Sequence, residues 1–355
     1  MAQPDVGKEL RKTARVTPRP MIKIVEVRPF AALPGGSLFI RWTGKELKPF
    51  SRPKVSFGDV PAHLISASSD LIVVQVPAEA ATSELAVSVN GEESQSVRIE
   101  VARLLAMSLH PVANPALDPE GNLYTTLSGR RGEKVPNSVF KIDPQGNTQP
   151  FIADLVNPTG IAFNSYGEMF VSSRHDENIY KISAYGEKST YCKGMGVATG
   201  IAFDRDDNLY VGDRSGNIFK IDKKREIFVF ATLEPSVSAY HLAFDDQQNL
   251  YVTGPTTSSY DHIYRISASG NVSTFFTGLG RPQGLAFDAE GNLYVAASLA
   301  GRRGIIRISP KGDASVAISG NNLVGLAFGH RRDLYLATTD SIFRLNSRWA
   351  GRTLP

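Results

Sequence analysis

Cysteine is nearly absent from this chain: one residue, Cys192, among 355, with only five methionines and two tryptophans. A single cysteine excludes an intramolecular disulfide and fits a reducing compartment. Cys192 follows Tyr191 in a strand-like pattern and has no His beside it, so it reads as a small core residue and not as a nucleophile. Long hydrophobic runs are lacking too: no stretch of about 18 apolar residues offers a helical membrane span. Lys8, Arg11, Lys12, Arg15 and Arg19 have no apolar segment behind them, which a secretory signal needs. The expectation is a flexible basic tail over 1–20 and a cytoplasmic protein. Neither sign of charge dominates: 39 Lys and Arg against 35 Asp and Glu leave +4, a weak pull on any partner. Gly-rich phosphate loops, Cys-x-x-Cys pairs and a Gly-x-Ser-x-Gly elbow are missing, which removes several large enzyme classes.

What is present is a repeat. Gly284-Leu285-Ala286-Phe287-Asp288-Ala289-Glu290-Gly291-Asn292-Leu293-Tyr294-Val295 reads as a strand, a tight turn and a second strand. Related stretches begin at Leu117, Gly160, Gly200, Leu242 and Gly325. The aromatic of the second strand falls at 124, 170, 210, 251, 294 and 335, a spacing of 40 to 46 residues. Third strands such as Ile179-Tyr180-Lys181-Ile182 and outer strands such as Val272 to Phe276 complete four strands per unit. A period of this size with four strands means propeller blades. The predicted fold is all-β, with a six-bladed propeller over 103–355. Only ten residues follow Leu345, so residues 101–109 are expected to supply the outer strand of the last blade and remove an open edge.

Residues 21–102 lack the repeat. About seven short strands with turns such as Pro34-Gly35-Gly36 indicate a small β-sandwich. The succession of Pro34-Gly35-Gly36, Val55-Ser56-Phe57-Gly58-Asp59, Ile72 to Pro77 and Leu85 to Val89 resembles the IPT/TIG family of immunoglobulin-like domains. That resemblance implies a spacer or binding module. The Gly-Leu-Ala-Phe-Asp-x-x-Gly-Asn-Leu-Tyr-Val wording resembles the NHL-repeat and SMP-30/gluconolactonase-like propellers, over some 250 residues.

In propellers of this kind the loops entering the innermost strands surround a central channel where ligands are expected. The entering positions here are Ala113, Thr159, Thr199, Tyr240, Gln283 and Val324. The metal-dependent lactonases that the repeat resembles hold one divalent cation with an acidic residue, an Asn and an Asp at such positions. Here Ala113 stands for the acid, Thr199 or Tyr240 for the Asn, and Gln283 for the Asp, which cannot supply the charge that a hard cation needs. No metal is therefore expected; one divalent cation such as calcium belongs to the alternative, a lactonase with an altered site. The streptogramin lyases, also similar, imply channel histidines; His175, His241 and His262 are the candidates. His241 replaces the Gly of the repeat, and is either a structural histidine or a weak acid–base candidate.

The loops after the second strands carry Arg130, Arg131, Arg174, Arg214, Arg302 and Arg303. Together they would form a positive collar for an anionic ligand, unless each pairs with a local acid such as Glu133, Asp176 or Asp213. The expected ligand-binding set is Thr159, Arg174, His175, Thr199, Arg214, Tyr240, His241, Gln283, Arg302 and Arg303. The partner is a small anion or another protein. Nucleic acid is the weaker candidate, because aromatic residues for base stacking are sparse. The favoured reading is a non-catalytic binding protein.

Overall fold

The hairpin of the repeat shows why the sequence is written as it is. Leu285–Phe287 pairs antiparallel with Leu293–Leu299. Between them the Asp288 carboxylate accepts the backbone N–H and the side-chain Nδ2 of Asn292, each at 2.8 Å, and the Tyr294 hydroxyl at 3.1 Å. Gly291 takes a φ of 79°, a conformation that costs glycine little. Asp118 latches Asn122 and Tyr124 in the same way, and Asp204 latches Asn208 and Tyr210. These carboxylates hold turns and are not arranged as calcium loops.

The structure is a computed structural model describing residues 22–44, 52–258 and 260–351. The expected tail over 1–20 lies outside the described residues. Among those described the chain is all-β, with a single 3-10 turn at His330–Arg332. The innermost strands are Ala116–Leu117, Pro158–Phe163, Ala198–Phe203, His241–Phe244, Leu285–Phe287 and Leu323–Phe328. Each opens an antiparallel unit, for instance Pro158–Phe163, Met169–Ser173, Ile179–Ile182 and Lys188–Cys192. The unit that opens at Leu323 contributes three strands of its own. Its fourth is Arg103–Met107, which pairs antiparallel with Ser341–Asn346, inside the stretch expected to do so. The architecture is that of a β-propeller.

Neighbouring units are fastened by aromatic pairs. The second-strand ring of one unit meets the inner-strand Phe of the next: Tyr124 with Phe163, Phe170 with Phe203, Tyr210 with Phe244, Tyr251 with Phe287, and Tyr294 with Phe328. Their centroids lie 4.9–5.5 Å apart, the range in which edge and tilted ring pairs attract. Tyr335 of the last unit shares one apolar cluster with Leu117 and Leu123 of the first.

Residues 22–101 form two facing sheets. One orders Lys23–Arg28, Ser37–Thr43, Leu71–Gln75 and His63–Ala67. The other includes Val97–Val101, Ser83–Val89 and Lys54–Phe57. Alternate residues such as Leu38, Ile40, Trp42, Leu85, Val87 and Ile99 meet in the core between them, as period-2 patterning requires. A connection not foreseen from the sequence joins this module to the propeller. The two-residue strand Ala31–Ala32 pairs in parallel with Glu100 and Val101 on one side and with Ile318 and Ser319 on the other. Leu33 N–H then donates to the Ser319 carbonyl at 2.8 Å, and Ser37 N–H to the Ser319 hydroxyl at 2.8 Å.

Candidate functional site

The inner strands surround a cavity of about 390 Å³. Its wall carries the alanine of every repeat: Ala116, Ala162, Ala202, Ala243, Ala286 and Ala327. Asn114, Gly160, Gly200 and His241 line one end, and Arg205, Asp246 and Gln248, from the hairpin turns, line the other. The cavity therefore belongs to the end of the hub that carries the turns. It is not at the end of the entering loops, where the sequence led us to expect a ligand.

Of the residues expected at the channel mouth, Ala113 and His241 line the cavity, whereas Thr159, Thr199, Tyr240, Gln283 and Val324 are not among its lining residues. Thr159 is buried, its hydroxyl 3.4 Å from the Asn157 carbonyl. Thr199 is buried and donates to the Gly212 carbonyl at 2.8 Å while accepting Tyr240 N–H at 3.1 Å. Tyr240 turns its ring against Gly212 and Gly254, and its hydroxyl donates to the Glu234 carbonyl. The fold itself uses these three side chains, which were expected as ligand contacts. The two glycines supply the room that the Tyr240 ring occupies, a signal readable only with the pairing in hand. Gln283 is half-exposed; its N–H donates to the Ala296 carbonyl and its own carbonyl accepts the Thr253 hydroxyl at 2.5 Å.

His241 is buried, and its Nε2 has no hydrogen-bond partner. Burial lowers its pKa to about 4, so the ring is neutral at pH 7. Asn114 occupies the equivalent register in the first unit and was not singled out from the sequence. Its Nδ2 donates to the Leu285 carbonyl at 2.8 Å, and its Oδ1 accepts Leu326 N–H at 3.1 Å, so it ties units together across the hub. His175 is exposed beside Gly132, and His262 Nδ1 lies 3.0 Å from the Thr277 hydroxyl.

The arginines do not make one collar. Arg302 and Arg303 stand in a strand, Arg302–Ile308, and not in a loop. Arg302 stacks 4.0 Å over the Phe39 ring of the N-terminal module. Of the remaining arginines, Arg131 and Arg214 lie close enough to Arg174 for their charges to act on it. Arg174 is partly buried, its Nε is without a partner, and one terminal nitrogen donates to the Ser128 hydroxyl at 3.3 Å. Burial first, then the charges of Arg214 and Arg131, push its pKa below the usual guanidinium value. Arg214 donates to the Val237 carbonyl at 2.9 Å. The acids expected to neutralise these groups are engaged elsewhere. Glu133 accepts Arg130 N–H, Asp176 accepts the Tyr180 hydroxyl, and Asp213 accepts Val197 N–H. Among the described residues no acid forms an ion pair with Arg131, Arg174 or Arg214.

The cation set of the lactonases does not fit this hub. Ala113 brings no side-chain donor atom, the hydroxyls of Thr199 and Tyr240 are engaged as above, and Gln283 brings only a neutral amide. Among the described residues no group of three His, Cys, Asp or Glu side chains is placed to hold a metal ion. Cys192 is buried, and burial raises its thiol pKa to about 11.

No protein-family model and no curated protein matches this chain. Solved structures do match. A protein provisionally described as a gluconolactonase superposes with a TM-score of 0.59 at 18% identity, covering 71% of this chain and 94% of that one. An auxiliary nutrient binding protein from Bacteroides thetaiotaomicron gives 0.55 at 13% identity, covering 93% and 99%. A catalytically inactive virginiamycin B lyase from Staphylococcus aureus, with quinupristin, gives 0.52 at 16% identity, covering 83% and 99%. At these identities the likeness is one of fold: a β-propeller. Among the described residues no helix is long and apolar enough to cross a membrane.

Proposed function

We propose that this chain is a non-catalytic binding protein, an IPT/TIG-like immunoglobulin-like module followed by a six-bladed NHL/SMP-30-like propeller. Its entering-loop face takes an anionic small molecule or the acidic surface of a protein partner, in a cytoplasmic setting. The count of six rests on the inner strands and on Arg103–Met107 completing the last unit. The observation that carries the function is Arg174, partly buried, with an Nε lacking any partner and with Arg131 and Arg214 close enough to repel it. Three cations gathered without an acid are costly unless an anion completes them, and guanidinium offers paired donors to carboxylate or phosphate. The nutrient binding protein of like fold supports capture as a use of this scaffold. The poor fit of the cation set speaks against the lactonase alternative.

Calorimetric titration with citrate, pyrophosphate and an acidic peptide at low salt tests this reading. Saturable binding of at least one is expected, weakened about tenfold by Arg174→Gln and further by added salt. Heat-silent titrations with all three, or an unchanged affinity in the variant, would refute it.

A further inference from the structure

The outer strands can be compared position by position, because each pairs with its third strand in one register. Opposite Ile142, Ile182, Ile221, Ile266 and Ile308 stand Thr148, Lys188, Ile227, Val272 and Ala314. From there the strands read Thr148-Gln149-Pro150, Lys188-Ser189-Thr190, Ile227-Phe228-Val229, Val272-Ser273-Thr274 and Ala314-Ser315-Val316. Among these five, one is apolar at all three positions, and its Ile227, Phe228 and Val229 are 42%, 49% and 60% exposed. Pro150 and Lys188 blunt the edges of the first two units. Ile227–Thr232 has no such guard. It pairs with Asn217–Ile221 and, among the described residues, with no other strand.

The turn before this strand departs from the others too. They place Gly146, Gly186, Gly270 and Gly312 at positive φ; this one places Arg225 there, at a φ of 65°, directly after Lys223 and Lys224. A bulky residue in that conformation is disfavoured, yet it brings three exposed cations to the start of the apolar strand. Arg225 lies 5.0 Å over the Tyr191 ring. Among the described residues none of the three cations forms an ion pair. Asp222 is spent inside the turn, accepting the N–H groups of Lys224 and Glu226 at 2.9 and 2.8 Å, and Glu226 offsets one of the cations.

We infer that this edge docks an extended segment of a protein partner, apolar and then acidic in sequence, which adds as a fifth strand along 227–229. The fold already accepts such an addition elsewhere: Ala31–Ala32 lies on the outer strand of another unit, paired with Ile318 and Ser319. Main-chain hydrogen bonds hold an added strand, and its alternate side chains give selectivity. Running antiparallel, as the unit's own strands do, the segment sets apolar residues beside 227–229 and acidic residues beside Lys223 and Lys224. It is short, because the next unit closes in beyond Val229: a Cβ on Gly270 would stand 2.9 Å from the Phe230 carbonyl oxygen. A second copy of this edge would bring the same cations and not the acids that complement them.

The probe is a fluorescein-labelled peptide, Thr-Val-Ile-Val-Glu-Asp-Glu, titrated by anisotropy against the full chain at low salt. Saturable binding is expected. Phe228→Lys, at an exposed position, should weaken it about tenfold. Lys223→Glu combined with Lys224→Glu should shift the preference to a peptide with Lys in place of the acids. Of two peptides N-methylated on alternate residues, one should lose binding and the other keep it, since only one edge of an added strand faces the sheet. Arg174→Gln should change nothing. Absence of saturable binding, full affinity in a natively melting Phe228→Lys, an unaltered charge preference, equal binding of both methylated peptides, or loss of binding in Arg174→Gln would each overturn the proposal. So would a dimer of the chain alone in sedimentation that Phe228→Lys dissolves, which would make a second copy the occupant.

Discussion

The two ends of the hub are built from opposite materials. At the turn end, carboxylates are consumed internally: Asp118, Asp204 and Asp288 each hold an Asn and a Tyr of their own hairpin, and alanine methyls line the space between units. At the loop end the hydroxyls of Thr199 and Tyr240 are consumed, and the arginines are left without acids. The difference teaches where each kind of residue acts. Residues of the repeated wording build the scaffold at both ends, and residues that depart from it, such as His241, Asn114 and Arg174, carry whatever is particular to this chain.

The comparison can be broken at its strongest point first. Asp288 is 1% exposed and its carboxylate accepts four hydrogen bonds. Asp288→Ala should cost about 4 kcal/mol in urea denaturation, since it strands a buried Tyr hydroxyl and amide. A cost near zero would show that the latches are ornamental. Next comes pH. His241 has a folded pKa of about 4, below its unfolded value of 6.5, so the unfolded chain takes up a proton within that window and the folded chain does not. Its contribution to stability is complete above pH 6.5 and shrinks as pH falls toward 4, by about 3 kcal/mol. Denaturant midpoints of the wild type and His241→Gln should converge as the pH is lowered; parallel curves would contradict the burial.

At the loop end the sign reverses. Arg174→Met should stabilise the fold slightly, by less than about 1 kcal/mol, because a half-buried cation repelled by two others is removed. A marked loss of stability would mean that the hydrogen bond from Arg174 to the Ser128 hydroxyl outweighs the repulsion. The smallest effect concerns neither end. With its thiol pKa raised to about 11 by burial, Cys192 should react with a disulfide reagent only as fast as the chain opens, and rapid labelling of the native protein would place it at the surface.

The propeller was legible because its signal is repeated. A spacing of 40 to 46 residues, with Asp and Asn flanking four of the turns (118/122, 204/208, 245/249 and 288/292), survives the loss of any single copy. Arg103–Met107 as the completing strand followed from counting strands after Leu345. The site was far less legible. Thr159, Thr199 and Tyr240 look like rim residues along the chain, but pairing between units turns them inward, and no local pattern announces that. Asn114 stood in a weak first copy of the repeat, where Pro115 and Ala116 obscure the register. Arg302 resembled a loop residue until Phe39, over 260 residues earlier, came to lie beneath it.

Ala31–Ala32 makes the ring and the N-terminal module mechanically one object. Both neighbours of this short strand run parallel to it, so a pull transmitted along the chain would load hydrogen bonds on both flanks together, in shear. The module can neither swivel nor be peeled away without first tearing the seam at Ile318 and Ser319. A tether fastened to the sandwich would therefore hold the mouth of the channel at a constant bearing.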